Sequence, residues 1–355
     1  MQAPEESAGS TSQAQSRPPR LAGSLSSLGE HRNVFSQPWS TSGIEFEYPT
    51  RLAFPPNWLG HIPFAFWLVG VQRPRTVVEL GVHTGNSYCA FLQATQLLRF
   101  EARCFGIDHW QGEEHASFCG EEVYNEFRSF HDPLYGSFST LLRLSFDDAL
   151  PCFGDGTIDL LHIDGFHSYE AISHDFTNWL PKMSSRGIVL VHDTNARECG
   201  FGIWQFFAEI AARYPTFEFL HSHGLGIAYV GNETLPAPLR ALFKTDKESE
   251  AVSIRNYFAR LGASVLDGYS LRRAQAIEQE REALKAEVGR LQHLLFAIES
   301  DRDAARSMLD QQMSLVGRLQ REVMETKREP KKKPVSARIM RRLRVLAARL
   351  RSLRS

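Results

Sequence analysis

Four apolar runs in this chain end on an acid or a glycine turn, and each is followed by a segment with helical spacing. The runs are "TVVELGV", "RCFGID", "TIDLLHID" and "GIVLVHD". None alternates polar with apolar residues, so each reads as a strand buried on both faces, the signature of a parallel sheet under two helical layers. "SYCAFLQATQLL", "YEAISHDFTNWLPKM" and "GIWQFFAEIAARY" supply the helices. Strands alternating with helices predict an α/β fold with a doubly wound, mostly parallel sheet. "TFEFLHSHGLGIAYVG" differs: two short runs joined by a glycine-containing turn predict an antiparallel terminal hairpin at the sheet edge.

This pattern occupies residues 46–232 of the 355. Residues 1–43 are rich in Ser, Gln, Pro and Gly, bury too little apolar surface to offset ordering entropy, and are expected to be disordered. Residues 233–271 read as a connecting helical segment. Over 272–325 the pattern becomes a heptad: Ile277, Leu284, Leu291 and Ile298 share one seam position, Val288, Leu295 and Leu309 the other, with Arg281, Arg302 and Gln312 as interruptions. Seven heptads in one phase predict a C-terminal coiled coil, and with it a homo-oligomer. Residues 328–355 carry a net charge of +10 within a chain whose total is -1, so the remainder is acidic.

No run reaches about 18 apolar residues, the length that crosses a bilayer. "HIPFAFWLVGV" is the longest and is too short. The first residues lack a signal pattern, and five scattered cysteines without C-x-x-C spacing fit reduced thiols, so a cytoplasmic protein is expected.

Chemistry concentrates where the strands end. Glu79, Gly81 and Gly85 fall at the first strand end and the start of a helix, where glycines let backbone approach a ligand and free N–H groups are available. Asp108 closes the second strand, where doubly wound folds place an acid for ribose hydroxyls. There is no G-x-G-x-x-G and no Gly-Lys-Ser/Thr, which argues against nicotinamide and phosphate-loop sites. Asp164 and Asp193 close two further strands, and ligands in open α/β sheets bind outside those ends. Two carboxylates facing one crevice require a compensating cation.

"VELGVHTGNS", "GIDHW", "LHIDGFHSYEAISHDFTNWLPKMSSRGIVLVHDT" and the terminal hairpin, in that order, resemble the class I S-adenosylmethionine-dependent methyltransferases. The similarity is greatest to the metal-dependent small-molecule and sugar O-methyltransferases associated with polysaccharide glycosyltransferases, and it spans roughly 50–232. It implies a Rossmann-like fold and S-adenosylmethionine as cofactor. Glu79 and Gly81 would then line the methionine part, Asp108 the ribose, and Ser145, Phe146 and Asp147 of "RLSFDDAL" the adenine. It also implies Mg2+ held by Asp164, Asp193 and an oxygen of Thr194 or Asn195; the family commonly has an acid or amide where this chain has Thr194. By the same resemblance His167, three residues after Asp164, stands where the base of the metal-dependent catechol O-methyltransferases would lie. His174 and His192 read as structural.

The implied acceptor is a hydroxyl of a sugar, glycan or related small molecule. The alternative is an inactive methyltransferase-like scaffold assembled by its coiled coil. Nucleic acid is disfavoured as a partner by the acidic core and the lack of an Asn/Asp-Pro-Pro-Tyr/Phe motif. In the tail, Ile339, Leu343, Leu346, Leu350 and Leu353 follow helical spacing between arginines, so an anionic membrane surface on the cytoplasmic side is expected to attract it.

Overall fold

The computed structural model describes residues 43–111, 120–197, 200–244, 248–328, 340–345 and 348. Apart from Gly43, the segment expected to be disordered lies outside them, and so does most of the basic tail. No helix among the described residues is long and apolar enough to cross a membrane.

After two short 3-10 turns, Ile44–Phe46 and Leu59–His61, comes α1 (Ile62–Gln72), the apolar run that is too short to span a bilayer. Pro63 suits its first turn, where no N–H partner is lost. Phe64, Phe66, Trp67 and Leu68 are all fully buried, so this helix has no solvent face. Then come β1 (Thr76–Leu80), α2 (Asn86–Leu98), β2 (Arg103–Ile107), α3 (Glu121–Tyr135) and β3 (Ser139–Leu142). The short α4 (Phe146–Ala149) leads to β4 (Ile158–Ile163), α5 (Tyr169–Trp179), β5 (Met183–His192) and α6 (Ile203–Ala211). The hairpin β6 (Thr216–Phe219) and β7 (Leu225–Tyr229) is followed by α7 (Ala237–Phe243) and α8 (Glu248–Arg328).

The seven strands lie in the order β3-β2-β1-β4-β5-β7-β6. The first five are mutually parallel, and β7 inserts antiparallel between β5 and β6. This is the Rossmann-like, mostly parallel sheet expected, with its antiparallel hairpin. Strands β1 and β4 are buried at every position, which is why they read as unbroken apolar runs. The strand order reverses between β1 and β4, so a crevice opens at the carboxyl ends of those neighbours.

The first compact unit ends at Asp267, beyond the limit of 232 expected from strand patterning. The reason is packing: Leu239 and Leu242 of α7 and Ile254 and Phe258 of α8 are buried. The Phe258 ring meets Phe64, Trp67 and Phe219 edge-on at centroid distances of 5.4, 5.8 and 5.5 Å. Residues 233–267 therefore complete the core, and do more than connect. The second unit begins at Gly268, within α8, and its helix runs on to Arg328. In it, Ile277, Leu284, Val288, Leu295 and Ile298 are exposed.

Candidate functional site

A cavity of 720 Å³ lies at the carboxyl ends of β1, β2, β4 and β5. Its walls come from the residue just after each strand: Gly81 after β1, Asp108 after β2, Asp164 after β4 and Asp193 after β5.

The turn after β1 is shaped by close approach. Gly81 has φ +89°, and a Cβ there would stand 2.0 Å from the Asp164 carbonyl oxygen. Gly85 has φ +80°, and a Cβ there would meet the Phe127 ring at 2.0 Å. Arg51 braces the same turn: its Nε donates to the Thr84 carbonyl at 2.9 Å, and Nη1 and Nη2 donate to Glu126 at 2.8 and 2.5 Å. This fork holds Glu126 below the ordinary carboxylate range. Asp108 accepts the backbone N–H of His83 at 2.9 Å through Oδ2 and that of Trp110 at 2.7 Å through Oδ1. Its carboxylate is thereby fixed at the cavity wall with lone pairs to spare.

Glu79 and Gly85 do not line the cavity, contrary to the cofactor roles expected of them. Glu79 is fully buried and accepts from Ser87 Oγ at 2.5 Å. Its other oxygen lies 3.3 Å from His162 Nδ1, close enough for electrostatic contact but not aligned as a hydrogen bond. Burial pushes its carboxyl upward, and His162 and Ser87 hold it back only in part. Glu79 thus supports the cavity floor from beneath, and Gly85 serves the turn.

Ser145, Phe146 and Asp147 do line the cavity. Ser145 caps α4 by accepting the Asp148 N–H at 3.1 Å. Asp147 lies 2.9 Å from His174 Nε2, and this partner raises the exposed His174 imidazole. His174 is therefore a rim residue as well as a helical one. Asp175, beside it on α5, also lines the cavity, and burial pushes its carboxyl up to about 6.

The far end gathers acids and imidazoles. His192 Nδ1 lies 3.2 Å from Asp164 Oδ1 and 3.4 Å from Asp193 Oδ2, while its Nε2 faces the Ser222 carbonyl at 3.2 Å. Both ring nitrogens meet groups that only accept, so both carry protons and the ring is an imidazolium. Burial opposes that charge, but Asp164 and Asp193 outweigh it and the ring is raised well above its ordinary value. In turn, burial pushes both carboxyls up, and His192 more than offsets this, so both lie below the ordinary range. The cation required between the two acids is thus supplied by a residue that strand patterning marks as structural.

His167 Nε2 lies 3.0 Å from Asp193 Oδ2, and its ring stacks on Phe201 at a centroid distance of 4.5 Å. Asp193 itself has φ +61°, a left-handed conformation that Asp tolerates better than most residues. One donor atom each from Asp164, His167 and Asp193 lies within 4.8 Å of the others, a set that could hold a metal ion. Thr194 and Asn195 follow Asp193 directly but stand back from the cavity. Asn195 Nδ2 donates to the Leu220 carbonyl at 2.9 Å, Thr194 is buried beneath the turn at Gly224, and neither lines the cavity. His167 thus offers a nitrogen donor beside the two acids, in addition to the Thr194 or Asn195 oxygen expected from the sequence.

Trp58 and Asp175 are among the wall residues that sequence reasoning does not mark. Trp58 comes from the loop before α1 and donates from Nε1 to His162 Nε2 at 3.2 Å. No periodicity marks it. Asp175 stands inside the quoted stretch after Asp164, but its inward direction depends on how α5 packs.

Residues 78–194 match the family model described as a methyltransferase domain. A curated relative, the uncharacterized protein y4gI of Sinorhizobium fredii, is 44% identical over 245 residues. That match covers 67% of this chain but only 26% of the relative, so the chain spans about a quarter of that protein's length. Among solved structures, the O-methyltransferase TomG from Streptomyces achromogenes, involved in tomaymycin synthesis and solved with SAM, gives a TM-score of 0.39 at 17% identity. It covers 51% of this chain and 82% of its own. The SAH-bound methyltransferase PaMTH1 of Podospora anserina gives 0.38 at 14% identity, over 48% of this chain and 77% of its own.

Proposed function

We infer that the class I S-adenosylmethionine-dependent methyltransferase domain carried by this chain, matched over residues 78–194, methylates a hydroxyl group. The observation that carries this reading is the His167–Asp193 pair, 3.0 Å apart beside Asp164 at one end of the cavity whose other walls include Asp108 and Ser145. The cavity fits the cofactor: Gly81 leaves no Cβ at the turn, Asp108 offers carboxylate oxygens for hydroxyl donors, and Phe146 offers a ring face. When bound, the cofactor supplies a methyl group on a sulfonium centre, which already carries its leaving group.

The protein then positions and deprotonates. His167 donates its Nε2 proton to Asp193, and the tautomer so fixed has its lone pair on Nδ1. The His167 imidazole is the group that takes the acceptor's proton as the new O–C bond forms. Asp193 orients the ring and stabilises the resulting imidazolium. His192 keeps both acids ionised and in place. We propose a sugar, glycan or related small-molecule hydroxyl as acceptor, supported by the acids and imidazoles at this end of the cavity.

The donor set favours a second reading as well. Asp164, His167 and Asp193 would hold a divalent ion, which would lower the acceptor's hydroxyl pKa. An imidazole ligand suits Mn2+ or a later metal better than Mg2+, which prefers oxygen. His167 Nε2 would then be a ligand, leaving the acceptor's acidity to the metal.

Calorimetric titration of S-adenosylmethionine into the full chain tests the cofactor site. Wild type should bind, and Asp108→Asn should bind about tenfold to a hundredfold more weakly, the loss of a charge-assisted hydrogen bond. No binding by wild type would leave the scaffold reading. Mass spectrometry of glycans treated with protein and cofactor should reveal a methyl increment that is lost in His167→Gln. Loss of that activity on chelation would favour the metal reading.

A further inference from the structure

We propose that α8 pairs with a second copy of itself as a parallel, in-register, two-stranded coiled coil. The apolar seam of its outer part is uncovered. Ile277, Leu284, Leu291 and Ile298 at the d positions, and Val288 and Leu295 at the a positions, are each about half exposed or more. Toward the end of the helix Val316, Leu319 and Val323 are half-buried. Six large aliphatic side chains along one stripe of a helix require a cover.

The residue types choose the number of strands. Valine holds three of the a positions, Val288, Val316 and Val323, against leucine at two, Leu295 and Leu309; leucine holds three of the d positions, Leu284, Leu291 and Leu319, against isoleucine at two, Ile277 and Ile298. β-branched residues at a with leucine at d favour two strands over three or four. Arg281 and Arg302 also fall at a, where charged side chains reduce stability and fix register.

The flanking charges choose the direction. In a parallel pair each g residue faces the e residue five positions later on the other copy. Those partners are Glu280 with Lys285, Asp301 with Arg306, and Glu322 with Lys327 of the second copy, all attractive. Met308 would face Met313, an apolar contact, and no like charges meet between residues 277 and 327. In an antiparallel pair g faces g. Every charged g residue in that span is an acid — Glu280, Glu287, Asp301 and Glu322 — so acid would face acid. Within one chain Lys285 already contacts Glu282 at 2.7 Å, an exposed pair that it can share with Glu280 of the second copy. The parallel arrangement also brings the two basic tails to the same end of the coil.

Sedimentation equilibrium of the full chain should give twice the chain mass; a monomer at every concentration, or a trimer, overturns the proposal. Glu280→Lys and Lys285→Glu should each weaken dimerisation about tenfold, because two symmetric attractions become repulsions. The double variant should restore it, with helical circular dichroism unchanged throughout. Singles without effect, or a double variant as weak as the singles, would exclude this register. Leu291→Cys gives an independent reading. Parallel copies meet at that layer and should cross-link on mild oxidation beyond the level of wild type, whereas an antiparallel pair would not.

Discussion

At the scale of single residues, the cavity mixes groups with opposite demands. Asp175 lines it without a close cation strong enough to overcome burial, and its carboxyl is pushed up to about 6. An acid raised in the folded state binds protons there more tightly than when unfolded. Stability is therefore lost as pH rises from the ordinary value of 3.8 through about 6. Asp175→Asn should raise the unfolding free energy read by urea titration at pH 7 to 8 by about 1 kcal/mol after allowance for partial solvent access, and give no gain at pH 4. A variant equally stabilised at both pH values would show that packing, not charge, is responsible. Asp159 shows the contrasting case. It is buried in β4, yet Arg75 and Ser184 hold its carboxyl below the usual range against the effect of burial.

At the scale of elements, the turn after β1 depends on a missing side chain. Gly81→Ala would force a Cβ into the Asp164 carbonyl from an already left-handed backbone. It should cost about 2 kcal/mol or more by denaturant titration, combining strain with overpacking. Gly156→Ala is the matched control. It also has positive φ, but nothing lies within 4 Å of the added Cβ, so only about 1 kcal/mol of backbone cost remains. Equal losses at the two positions would remove the steric argument. The same distinction explains what was legible in the sequence. Strands β1, β4 and β5 are buried on both faces and read plainly. β3 leaves no such run, because it is four residues long at a sheet edge and partly exposed. α1 announced itself only as an apolar run, because burial on every side erases helical periodicity. Asp108, Asp164 and Asp193 were legible since each follows a strand directly. The directions of Glu79, Thr194, Asn195 and His192 were not, because side-chain direction at a strand end depends on its neighbours' packing.

At the scale of the whole molecule, the first unit closes late in the chain. Phe258→Ala should lose about 3 to 5 kcal/mol, the usual cost of truncating a buried phenylalanine, read as a lower melting temperature. A chain ended after Asn232 should be worse. It would uncover Phe64, Trp67 and Phe219 together and should expose a dye-binding apolar surface. A soluble, cooperatively melting product would show that α7 and the start of α8 are dispensable.

The buried α1 also has a consequence in time. Phe64 and Trp67 leave the ribosome well before Phe258, the ring that finally meets them. At common synthesis rates the interval is about 10 to 40 seconds. Throughout it, an eleven-residue helix with no polar face has only part of its cover. The nascent chain therefore offers a waiting chaperone its most adhesive segment early, and withdraws it only when the beginning of α8 has emerged.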